Sequence, residues 1–258
     1  MLGCENIFDI SGRTILVVGA GGGIGTAVTK GLVAHGARVI AADNDEQSLA
    51  KLGKEIDTCE VNITTRFVDA TDLASIQMLA DEFKDIDVLV ILPAILVRKA
   101  LVDQTEEDFN KQVNINIKSH FYVAKVFSTL MAQKGGGSII AFSSIRSITV
   151  EPMASVYSAT KAAVRQLMRS LASEVGSRGV RVNLIAPSSV ETRMTADLQD
   201  DGLRYKETAN RAMLKRWARP ADIVGPVIFL ASEASGFITG AEIFVDGGWT
   251  ASDGMKRV

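Results

Sequence analysis

The sequence predicts an α/β protein: one domain built on a doubly wound parallel sheet of about seven strands, with helices on both faces. Three observations carry that prediction. A length of 258 residues suits a single α/β domain with a sizeable core, so residues 1–258 are read as one unit. Short apolar runs alternate with amphipathic helical stretches, as the buried strands and covering helices of a parallel sheet require. The first of those runs turns through a glycine cluster straight into a helical stretch. Strands are expected at 14–18, 37–42, 65–68, 87–92, 138–142, 181–186 and 242–245, with helices between them. There is no internal repeat, low-complexity tract or long linker that would divide the chain.

The first strand, Ile15-Leu16-Val17-Val18, leads through Gly19-Ala20-Gly21-Gly22-Gly23-Ile24-Gly25 into a helix from Thr26 to Ala34. Glycines let a backbone turn tightly and approach a pyrophosphate, whose charge the N–H groups and positive dipole end of the next helix then hold. The spacing is G-x-x-x-G-x-G, through Gly19, Gly23 and Gly25. The second run, Ala37 to Ala42, ends in Asp43, which lies 18 residues beyond Gly25. That offset suits a carboxylate gripping the ribose of an adenosine. Such a carboxylate would repel a 2'-phosphate, and Gly21, Gly22 and Asn44 offer no compensating cation. The expected cofactor is therefore NAD rather than NADP.

Further along, Tyr157 and Lys161 stand four residues apart, with Ser144 thirteen residues before the tyrosine. On a helix, residues i and i+4 leave from the same face, so phenol and ammonium can reach one site. A free phenol has a pKa of about 10, and lowering it by ~3 units for work as a base at neutral pH takes roughly 4 kcal/mol. A neighbouring cation supplies such a shift most directly.

Taken together, these motifs resemble the short-chain dehydrogenase/reductase family, from about Ile7 to about Gly248. The resemblance implies a Rossmann-type sheet and hydride transfer between a nicotinamide and an alcohol or carbonyl carbon. It also implies roles. Ser144 bonds the substrate oxygen, Tyr157 is the acid/base, and Lys161 binds the nicotinamide ribose and depresses the tyrosine pKa. Of two asparagines in the stretch Phe109 to Phe121, the spacing selects Asn116 over Asn114 as the family's relay asparagine. Cofactor contacts are expected from Gly19, Gly23, Ile24, Gly25 and Asp43. After the sixth strand they continue with Val190 at the carboxamide through its backbone and Thr192 through its side chain. Asp69 matches a residue near the adenine, or is an ordinary exposed strand-end aspartate. Residues 188–216 correspond to a flap over the substrate. Family members usually pair through helices equivalent to 106–132 and 156–175, which implies a dimer or homotetramer.

The chain also departs from the family pattern. Ile91-Leu92-Pro93-Ala94 replaces the usual Asn-Asn-Ala-Gly, and Val18 replaces a threonine. Strands 1 and 4 are neighbours in the doubly wound order, so a polar link is expected to have become an apolar contact. Ser188 replaces a glycine after Pro187, which would strain the chain if that position required a positive φ.

Arg98, Lys99 and Arg146 can border the substrate, where an arginine suits a carboxylate. Each can equally be solvated or hold a subunit contact, and Arg146 can face an acidic neighbour such as Glu151. The expected activity is thus an NAD-dependent oxidoreductase acting on a small secondary alcohol or ketone, such as a hydroxy acid, sugar acid or polyol. The alternatives are a 3-oxoacyl reductase using NADP and a non-catalytic dinucleotide-binding sensor or scaffold.

A net charge of −2 gives no basic footprint for nucleic acid, and the apolar runs are too short to span a bilayer. Cys4 and Cys59 have neither disulfide-scaffold nor metal spacing, so no metal is expected. His35 and His120 read as helix or surface residues. The start of the chain lacks a secretory pattern, which points to the cytoplasm.

Overall fold

Seven strands form one parallel sheet in the order β3-β2-β1-β4-β5-β6-β7. The computed structural model describes residues 6–56 and 63–252; Cys4 and Cys59 lie outside the described residues. The strands are β1 (Thr14–Val18), β2 (Arg38–Asp43), β3 (Ile63–Phe67), β4 (Val88–Ile91), β5 (Gly137–Phe142), β6 (Val180–Pro187) and β7 (Glu242–Val245). The helices are α1 (Gly23–Ala34), α2 (Glu46–Ile56), α3 (Leu73–Glu82), α4 (Glu106–Val113), α5 (Ser119–Lys134), α6 (Ser155–Val175), α7 (Ala196–Asp200), α8 (Gly202–Arg211) and α9 (Val224–Ala231).

Alternation along the strands sends apolar side chains to both faces and so creates two cores. Leu16, Val18, Leu89 and Ile91 pack with Phe127 and Met131 of α5 and Val164 and Met168 of α6. Ile15, Val17, Val88 and Val90 point the other way, toward Val28 and Leu32 of α1 and Val227 and Leu230 of α9. Both faces of the central strands are therefore dry, which explains why their sequences read as continuous apolar runs. The order reverses between β1 and β4, whose carboxyl ends open a crevice where ligands of such sheets bind.

Three local features differ from the sequence-based expectation. Helix α1 begins at Gly23 rather than Thr26, because the glycine turn already supplies its first residues. The expected long helix at 106–132 contains a π turn at Asn114–Lys118 between α4 and α5, an insertion that hydrophobic periodicity does not reveal. Residues 188–216, which read as the least regular part of the chain, contain α7 and α8. The side chain of Asp201 caps α8 by accepting from Leu203 N and Arg204 N, while the charged composition hid that helix from the apolar pattern.

Candidate active site

The glycine turn owes its path to the lack of side chains. Gly19 has φ +90, and a Cβ on Gly25 would lie 2.1 Å from the Gly19 carbonyl oxygen. Only glycine fits the second position, and it brings the start of α1 tightly under the turn. Beside it, Asp43 at the end of β2 is fixed through both carboxylate oxygens. Oδ2 accepts from Gly21 N at 2.8 Å and Oδ1 from Asp45 N at 2.9 Å. Turn, helix start and carboxylate form a cradle that fits a dinucleotide, since a Cβ on Gly21 would press against Ser48 and Asp43. Asp69 lines the same cleft while its Oδ1 accepts from Thr71 N and Oγ1, so part of its work is to shape the entry to α3.

A cleft of about 830 Å³ runs from this cradle to Tyr157. Along it stand all the residues expected to hold the dinucleotide, together with Ser144, Tyr157, Lys161, Arg98 and Arg146. Thr192 approaches the turn so closely that a Cβ on Gly23 would lie 2.8 Å from its Cγ2. The backbone of Val190 is anchored by a bridge to Ala218 and accepts from Thr195 Oγ1 at 2.7 Å. Ser188 N–H donates to Val245 O at 3.2 Å. It is not among the positive-φ residues, which among the described residues are, besides glycines, Met153 and Lys215, so the expected strain does not arise. Val18 and Ile91 are register partners on adjacent strands, both buried in one apolar core, which is the exchange of polar for apolar contact that the sequence implied.

Ser144 sits just past β5, and Tyr157 and Lys161 leave one face of α6. Ser144 Oγ accepts from Arg146 N at 3.2 Å and faces Pro187 O at 3.5 Å, and its hydroxyl is near enough to the Tyr157 phenol to favour the phenolate. Lys161 Nζ donates to Phe142 O at 2.9 Å and lies 5.8 Å from the centre of the Tyr157 ring.

The electrostatics differ from the expectation of a lysine-depressed phenol. Burial pushes the Tyr157 phenol above its ordinary value, against the Ser144 hydroxyl and the charges of Arg146 and Arg98. Burial also lowers Lys161 to about 7. A buried ammonium that loses its proton near neutrality cannot act as a full fixed charge, so desolvation outweighs the pairing of the two groups.

Asn116 lies in the π turn and is buried, whereas Asn114 is exposed. Its Oδ1 accepts from Ile95 N at 2.8 Å, and its Nδ2 donates to Ile95 O and to Thr160 Oγ1, both at 2.9 Å. The asparagine thus pins the segment after β4 to the helix that carries Tyr157. His120, one turn later, lies on α5 as a helix residue and is fully buried, and burial, with the nearby Lys161 second, pushes its pKa well below the ordinary value.

On the far side of Tyr157, two guanidinium groups share one carboxylate. Arg146 Nε lies 2.9 Å from Glu151 Oε2, and Arg98 Nη1 lies 2.9 Å from Glu151 Oε1. Arg98 also reaches Asp197 of α7 at 3.0 Å. Arg146 stacks over Trp249 at 5.3 Å, with Arg211 at 5.5 Å from the same ring. Sequence reasoning named Glu151 but missed Asp197, Trp249 and Arg211. Separations of nearly forty residues and more carry no local signal for these contacts.

A family model described as "Enoyl-(Acyl carrier protein) reductase" matches residues 19–250. The chain is 33% identical over 243 residues to a 3-oxoacyl-[acyl-carrier-protein] reductase of Rickettsia bellii, covering 94% of this chain and 98% of that one. It is 33% identical over 251 residues to a 2-dehydro-3-deoxy-D-gluconate 5-dehydrogenase of Bacillus subtilis, covering 95% and 97%. The crystal structure of a gluconate 5-dehydrogenase from Burkholderia cenocepacia, in complex with NADP and tartrate, superposes with a TM-score of 0.91 at 31% identity, covering 95% and 98%.

Proposed function

We propose, since the chain belongs to the short-chain dehydrogenase/reductase family, that it is an NAD-dependent dehydrogenase of a small hydroxy acid, most simply a sugar acid. Family membership establishes the coarser chemistry, a nicotinamide-dependent oxidoreductase working on CH–OH groups. The observation that carries the finer reading is the convergence of Ser144, Tyr157 and Lys161 in one cleft that Arg98 and Arg146 border.

The nicotinamide, when bound, takes up or gives back a hydride. The chain does the rest. Ser144 holds the substrate oxygen, and Tyr157, as phenolate, accepts the hydroxyl proton while the carbon is oxidised. Lys161, whose ammonium burial brings down to about 7, holds its proton less tightly than the buried phenol does, so the proton taken from the substrate stays on Tyr157. Asn116 positions α6 and the loop after β4 around them. In the reductive direction the same groups act in reverse, with Tyr157 donating.

Two arguments support an anionic substrate. Burial pulls the Arg146 pKa below its ordinary value, so this guanidinium gains from an added anion, and its carboxylate partner Glu151 is shared with Arg98. The Bacillus relative is named for a sugar-acid substrate, and the Burkholderia structure holds tartrate. For the cofactor, Asp43 faces the ribose end with no cation from Gly21, Gly22 or Asn44, which supports NAD although the Burkholderia structure holds NADP. Steady-state kcat/KM for NAD and NADP, across a panel of hydroxy acids, polyols and a 3-oxoacyl thioester, tests both points. Preference for NAD with an anionic hydroxy acid is expected; preference for NADP with the thioester would overturn the reading.

A further inference from the structure

We infer that Glu242 is a positioning residue that locks the Ser144 loop to the helix carrying Tyr157 and Lys161, an inference that rests on the redox reading above. Glu242 opens β7, and its side chain is only 5% exposed. A carboxylate this deep calls for full pairing. Its Oε1 accepts from Ser143 Oγ at 2.5 Å and from Ser147 Oγ at 3.2 Å. Its Oε2 faces Arg165 Nε at 2.6 Å.

These partners bracket the reacting groups. Ser143 and Ser147 lie on either side of Ser144, and Arg165 follows Lys161 by four residues, so it leaves the same side of α6 one turn further on. One carboxylate therefore spans the two elements whose separation sets the spacing of Ser144 and Tyr157. Ser143 Oγ could give its single proton to Ile185 O at 3.3 Å, but the shorter contact to a charged acceptor is the stronger one. Glu242 touches neither the substrate oxygen nor the dinucleotide cradle, so its effect passes through Ser144. Misplacement of a reacting group by about 1 Å from a distant change can cost ~100-fold in rate, so loss of the lock should appear in kcat.

The test compares Glu242→Ala, Glu242→Gln and the double change Ser143→Ala with Ser147→Ala in the full chain. The serine pair leaves the ion pair with Arg165 intact and keeps the inference testable if Glu242→Ala does not fold. With a hydroxy acid that the unmodified enzyme oxidises, the serine pair should lower kcat by at least about tenfold, with KM and NADH affinity within about twofold. Glu242→Gln, which keeps an acceptor for both serines, should recover most of the kcat lost in Glu242→Ala. Hydrogen exchange of residues 143–149, read without substrate, should accelerate in the serine pair and in Glu242→Ala while β2 stays protected. If the unmodified chain oxidises nothing, the redox reading fails, and the exchange result alone decides the lock. Unchanged exchange, or unchanged kcat in the folded serine pair, overturns it.

Discussion

Tyr157 and Lys161 carry opposite consequences of the same burial. The phenol is pushed up and the ammonium is brought down to about 7, so the fold pays for a charged Lys161. That cost is fully present below pH 7, where folded and unfolded chains both hold the proton. It is relieved as the pH rises from about 7 toward the ordinary lysine value of 10.5, because only the unfolded chain then keeps it. Lys161→Met should therefore abolish turnover yet raise stability by a few kcal/mol at most, at about 1.4 kcal/mol per pH unit, with the gain largest near pH 6 and shrinking by pH 10. Denaturant unfolding at both pH values checks this; an equal gain at both would contradict it. Arg146 is held by Glu151, by backbone and by stacking on Trp249. If a substrate carboxylate joins that set, Arg146→Ala removes a charge-assisted contact of about 1.5–3 kcal/mol. KM for an anionic substrate should rise by roughly tenfold or more, while a neutral polyol analogue changes little. Equal effects on both would reject the anionic assignment.

The contact between β1 and β4 shows how a departure from a family pattern can be absorbed by an element rather than by the site. Val18 and Ile91 face each other in register with 1% and 0% exposure, so neither leaves a polar partner orphaned. Ile91→Asn alone buries an unsatisfied amide and should cost on the order of 2–4 kcal/mol. Adding Val18→Thr gives that amide a hydroxyl partner, and a double-mutant cycle should return a favourable coupling of about 1 kcal/mol. Additive costs would show that the pair does not communicate. Such strand-level features were legible from sequence because apolar runs and glycine turns are local patterns, and all seven strands lie within two residues of their expected ends. The π turn around Asn116 and the helices at 196–211 were not legible. An extra residue in a helix leaves the composition unchanged, and charged helices that bury little offer no apolar stripe to read.

The whole molecule shows the same division. The convergence of glycine turn, Asp43, Ser144 and the Tyr157 helix on one crevice was readable, because a doubly wound sheet sends every strand's carboxyl end to the same edge. The long-range partners were not: Arg98 meeting Glu151, Asp197 reaching back from α7, and Glu242 behind Ser143. Each spans elements whose meeting depends on the finished fold. The expected self-association belongs here as well. Phe109 and Phe121 on α4 and α5 are 49% and 43% exposed, an apolar face suited to an isologous contact. Light scattering at micromolar concentration should give the mass of a dimer or tetramer, and a strictly monomeric mass would count against that pairing. No helix among the described residues is long and apolar enough to cross a membrane.

Hydride transfer promoted by Tyr157 is the step on which these readings depend, and paired assays of the unmodified enzyme and Tyr157→Phe measure it. NADH formation from an anionic hydroxy acid should fall by at least about 100-fold in the variant, the scale of a lost general base. NADH binding, followed by fluorescence, should stay within about twofold, since the phenol hydroxyl makes no phosphate contact. Turnover by Tyr157→Phe within tenfold of the unmodified enzyme, or loss of NADH binding in parallel with turnover, would contradict the assignment.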